Sequence, residues 1–119
     1  MKLLLNEQIA KMLEQGRFNA IRRSQGEFEI DYKPVVKLFT PTAGCTWLLS
    51  ELDPDDPDIA FGLCDLGMGF PELGTVRISE LESLKGPLGL GVERDIHFKA
   101  TKHLSEYAEE ARRAERIVA

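Results

Sequence analysis

Four β-forming runs follow one another between residues 35 and 79: VVKLFT, TWLLSEL, IAFGLCDL and GTVRIS. Each is rich in β-branched, aromatic or leucine side chains and is bounded by Pro, Gly or Asp. The breaks PTAGC (41–45) and DPDDPD (53–58) are hairpin-sized, whereas a parallel crossover takes about a dozen residues or more. The runs are therefore expected to form a four-stranded antiparallel meander. The third break, LGMGFPELG, is a glycine-rich turn with room for a bulge.

Helical patterns flank this core. Asn6 is expected to cap a helix over 6–15 whose apolar residues Ile9, Met12 and Leu13 fall at helical spacing, with Gly16 as its stop. Residues 17–34 mix charge with isolated hydrophobes and read as a connector. Ser79 and Glu82 have the spacing of a capping box that opens a short helix, SELESLKG, ended by Gly86 and Pro87. In VERDIHF, Val92, Arg94, Ile96 and Phe98 alternate with Glu93, Asp95 and His97, which predicts a fifth strand. A last helix over 104–115 carries an apolar stripe of Leu104, Tyr107, Ala108 and Ala111, opposite Glu106, Glu109, Glu110 and Arg113. The fold class is thus α+β: a meander of four to five strands, an N-terminal helix, a short helix near 79–85 and a C-terminal helix packed on the sheet. At 119 residues, 1–119 is expected to be one domain that buries roughly two thirds of its unfolded surface.

Charge is unevenly placed. Residues 51–82 hold nine acids against one base, Arg77, a net −8 within a chain of −5, so the remainder carries +3. Phosphate contact needs cations, and the basic residues elsewhere are scattered, so direct nucleic-acid binding is disfavoured. A protein partner with a basic surface suits the acidic side. Cys45 and Cys64 lack the spacing of a zinc or redox motif and are expected to be buried, reduced thiols, which fits a cytoplasmic setting. MKLLLNEQ is too short in apolar residues for a signal peptide or a membrane span, so neither export nor membrane attachment is expected.

Three features invite a chemical reading. The acidic segment ELDPDDPD fails the calcium-loop pattern, because a loop begun at Asp53 has Asp58 at its sixth position and Cys64 at its twelfth. Its prolines and aspartates suit a stiff hairpin tip, and Asp53, Asp55, Asp56 and Asp58 are the candidate partner-binding residues. Asp95 and His97, joined by Asp65 and by Glu51, form the alternative: a small metal-dependent hydrolase or nuclease. His103 stands at a helix start without zinc-type spacing, and Trp47, flanked by leucine, is expected in the core. No nucleophile elbow, phosphate loop or dinucleotide fingerprint occurs: GPLGLG has the wrong spacing and follows a helix rather than a strand. No cofactor is expected.

The strings PVVKLFTP (34–41), TWLLSELDPDDPDIAFGLCDLGMGFPELG (46–74), ERDIHF (93–98) and LSEYAEEAR (104–112) together resemble a bacterial domain family of unknown function carried on plasmids, prophages and integrative elements. The resemblance runs from about residue 34 to the end. It implies an accessory protein of mobile DNA in a bacterial cytoplasm and carries over no catalytic residue. With the charge asymmetry, it points to a non-enzymatic protein-interaction domain, with blunting of a host defence as one role for its acidic surface.

Overall fold

The structure, a computed structural model, describes residues 2–85 and 87–119. The chain runs α1 (Asn6–Ser24), β1 (Val36–Phe39), β2 (Thr46–Leu52), β3 (Ile59–Asp65), β4 (Glu72–Arg77), α2 (Ile78–Ser83), β5 (Glu93–Arg94) and α3 (Leu104–Ala114). The strands form one sheet in the order β4-β3-β2-β1-β5, and every neighbouring pair is antiparallel. This is the expected α+β meander, with the fifth strand added beside β1.

Alternation along β2 divides the core between the two faces of the sheet. Trp47, Leu49 and Leu52 join Met12 of α1 and Ile78 and Leu81 of α2. Leu48, together with Leu63 of β3, meets Leu104, Tyr107, Ala108 and Ala111 of α3. β2 is therefore covered on both sides, which explains its near-continuous apolar run. Trp47 lies in the core as expected, although its indole N–H finds no hydrogen-bond partner among the described residues.

The first helix is longer than expected. Gly16 does not stop it but lets it approach β2, and the helix continues to Ser24. Its stop is Gly26, at φ +72°, where the Gly26 N–H reaches the Arg23 carbonyl and the Glu27 N–H that of Arg22. Asn6 is the first helical residue rather than the cap. Leu5 holds the cap position, and its N–H donates to the Gln8 side chain at 2.9 Å.

Three further expectations are corrected. β5 pairs only at Glu93 and Arg94, because Asp95 turns the chain: its carboxylate accepts the His97 N–H at 2.9 Å and its carbonyl accepts that of Phe98. α2 opens at Ile78 without the Ser79–Glu82 capping box, since Ser79 is engaged elsewhere. The stop expected at Gly86 lies outside the described residues. Cys45 and Cys64 are both free and half-buried rather than buried. No helix among the described residues is long and apolar enough to cross a membrane.

Candidate functional site

The acidic hairpin is a braced turn. The Asp53 carboxylate accepts the Asp55 N–H at 2.8 Å, and backbone bonds join Asp53 to Ile59 and Ile59 to Asp56. Asp58 caps α2 from across the loop. Its carboxylate accepts the Ser79 N–H at 2.9 Å and the Ser79 hydroxyl at 2.6 Å, and its carbonyl accepts the Ile78 N–H. These bonds, with Arg77 beside them, hold the Asp58 carboxyl below its ordinary range. Arg77 also pairs with Asp56 at 3.1 Å. Asp53 and Asp55 carry no ion pair among the described residues and are exposed, so they are the open part of the patch.

A second remote aspartate works the same way. The Asp31 carboxylate accepts the Ser105 hydroxyl and N–H, and the Tyr32 carbonyl accepts the Leu104 N–H, so residues 31–32 cap α3 as Asp58 caps α2. His103 Nδ1 lies 2.7 Å from the Asp31 carbonyl, which joins the histidine to the same brace.

Asp65, Asp95 and His97 are not gathered into a site. Asp65 is 3% exposed, and its two oxygens accept the N–H groups of Gly67 and Ile117, both at 2.9 Å. Asp95 faces Lys37 at 3.5 Å, and His97 is exposed on the following turn. Three strand intervals separate β3 from β5, roughly 14 Å. Among the described residues no group of three or more His, Cys, Asp or Glu side chains could hold a metal ion.

A concave region with an incompletely bonded carboxylate lies instead around Glu51. Pairing of β2 with β3 jumps from Leu49↔Gly62 to Glu51↔Phe61, which leaves Ser50 as the extra residue of a bulge. The strands come together so tightly there that a β-carbon on Gly62 would stand 2.0 Å from the Leu48 carbonyl oxygen. α1 reads the bulge with two amides: Gln15 Nε2 donates to the Ser50 carbonyl at 2.6 Å, and Asn19 Nδ2 to Glu51 Oε2 at 2.9 Å. Asn19, with no exposed surface, also pairs with both backbone groups of Ile30 and so fastens the connector over the site.

Glu51 is 8% exposed, and its Oε1 has no hydrogen-bond partner among the described residues. Burial pushes its carboxyl above the ordinary range. The Asn19 bond and Arg23 work against that rise, and Glu29 adds to it. Two cavities flank it, of ≈ 280 and ≈ 200 Å³, both lined by Glu29, Glu51 and Phe61. The first adds Gly16, Arg23 and Asp53, the second Asp31, Tyr32 and Ser50. Arg23 is held by Glu29 at 2.7 Å. Such a site can hold a cation or take up a proton.

Of these residues, two are candidates from the sequence: Asp53 as part of the partner-binding patch, and Glu51 as a companion to Asp65, Asp95 and His97. Asn19 lies beyond the sequence-predicted helix, which stops at Gly16. The available signal was the continuation of the buried stripe Met12, Gln15, Gly16, Asn19 at helical spacing, in small and polar residues rather than apolar ones. At the far end of the sheet the turn after β3 exposes Leu66, Met68 and Phe70.

Neither a curated protein nor a solved structure matches this chain. Residues 3–118 match the family described as Protein of unknown function (DUF2958), and the chain belongs to that family.

Proposed function

We propose that this chain is a non-enzymatic protein-interaction domain, offering a basic protein partner an acidic surface that runs from Asp53 and Asp55 into the Glu51 cavities. The observation that carries this reading is the pair of exposed, ion-pair-free carboxylates at Asp53 and Asp55, beside the mostly buried Glu51, whose Oε1 takes no donor from the described residues and keeps contact with solvent. Rigid carboxylates next to a low-dielectric cleft attract and orient cationic groups. Asp56 and Asp58 belong to the proposed surface but also hold the hairpin to Arg77 and α2.

The setting we propose is accessory work for bacterial mobile DNA in the cytoplasm, supported by the resemblance of the signature strings to domains carried on such elements. Blunting of a host defence is the role that fits there, because an acidic surface can occupy a partner's basic nucleic-acid channel.

The test is affinity purification from a bacterial host followed by mass spectrometry, comparing the wild type with Asp53→Asn/Asp55→Asn. These two substitutions remove charge without touching the α2 cap. Loss of a specific, basic co-purifying protein in the double variant is expected, and equal recovery of it would remove the acidic-surface reading.

A further inference from the structure

We propose that the two cavities around Glu51 form one binding site for a guanidinium group, an arginine side chain supplied by a protein partner, with the Glu51 carboxylate as its counter-ion. This deepens the interaction reading above and rests on it for the source of the arginine.

Four observations converge. First, Glu51 is nine-tenths buried, yet only Oε2 is bonded, to Asn19. Its other oxygen, Oε1, takes no donor from the described residues and is not sealed from solvent, so it is the oxygen an entering cation meets. Second, Ser50 is 1% exposed, its hydroxyl has no partner among the described residues, and it lines the second cavity beside Glu51. An unpartnered buried polar side chain at the cavity wall adds to the unmet hydrogen-bonding capacity there.

Third, the charges around the cavities do not balance. Glu29, Asp31, Glu51 and Asp53 line them together with one cation, Arg23, and that cation is engaged by Glu29. Fourth, Tyr32 and Phe61 line the second cavity with Glu51. Aromatic walls suit a planar, weakly hydrated guanidinium better than a compact ammonium. A hard divalent cation would need six or so oxygen ligands, and no metal-holding group occurs among the described residues.

The experiment is an NMR titration of the full chain with N-acetylarginine amide, with N-acetylcitrulline amide, which keeps the shape without the charge, and with spermidine. It is run on wild type, Glu51→Gln and Glu29→Gln. The Gln at 51 keeps an acceptor for Asn19, and Glu29 lies at the surface, so both variants are expected to fold.

Saturable shifts at Asn19, Ser50 and Glu51 with the arginine probe are expected, absent with citrulline, weakened roughly tenfold or more in Glu51→Gln and less in Glu29→Gln. No saturable shift in the wild type, equal shifts in Glu51→Gln, or equal binding of citrulline would each overturn the site. Shifts with spermidine but not with the arginine probe would overturn the arginine assignment in favour of free polyamines. If Asp53→Asn/Asp55→Asn loses the partner while Glu51→Gln retains it, the partner-borne arginine fails and the acidic-surface reading stands. If the arginine probe binds but no variant changes partner recovery, the interaction reading fails and the cation site stands.

Discussion

A β-carbon on Gly16 would lie 1.9 Å from the carbonyl oxygen of Leu52, so α1 crosses β2 in direct backbone contact. Two effects of opposite sign meet at this position. Alanine is the better helix former by about 1 kcal/mol, while forcing a methyl into a packed contact costs roughly 1–3 kcal/mol, and more where the obstacle is backbone. Gly16→Ala is therefore expected to destabilise the protein in urea denaturation. A gain in stability would mean that α1 stands off the sheet.

The meander was legible because strand and break lengths leave one economical topology, and β2 matches its expected bounds residue for residue. The stripe of α3 was legible for the same kind of reason, since periodicity is a local property. What escaped depends on contacts distant in sequence. Gly16 looks like a helix stop until Leu52 is seen against it. The fifth strand has a run of alternating residues but ends where Asp95 bonds forward to His97. Ser79 looks like a cap, yet its partner Asp58 is 21 residues away, and Asp65 serves Ile117 across 52. The Glu51 site needs a bulge that no Pro or Gly within β2 announces.

Asp65 distinguishes a structural acid from a catalytic one. Its oxygens are spent on Gly67 and Ile117, which ties the exit of β3 to the segment after α3. An asparagine keeps one acceptor and turns an amide N–H₂ toward a backbone N–H. Asp65→Asn is expected to cost about 1–3 kcal/mol and to speed hydrogen exchange at Ile117 before the sheet is affected. Unchanged exchange there would remove the brace.

Cys64 gives a reactivity prediction. Burial pushes its thiol up to about 11, and the thiolate is the reactive form, on the order of 10⁻⁴ of the population at neutral pH. Alkylation of Cys64 in the native protein, followed by peptide mass spectrometry, is expected to be slower by about two orders of magnitude or more than in the urea-unfolded chain. Equal rates would show that the core around β3 opens freely.

Glu51 makes stability depend on pH in the direction opposite to most carboxylates. Burial raises its folded pKa above the unfolded value, so between the two values the folded state binds the extra proton. Stability from this group is then present below the unfolded pKa and is lost as pH rises through the folded one. Glu51→Gln removes the buried charge and keeps the acceptor for Asn19. The variant is expected to melt above the wild type at neutral pH, and the gap should close as pH falls through the carboxylate range. Asp58, whose carboxyl Ser79 holds low, has the reverse sign. Asp58→Asn is expected to melt below the wild type near neutrality, with that deficit fading on acidification as the wild-type carboxylate takes up its proton. Thermal melts of the three proteins across one pH series separate the two effects, and a gap between Glu51→Gln and the wild type that widens in acid would show that the Glu51 charge is already compensated within the fold.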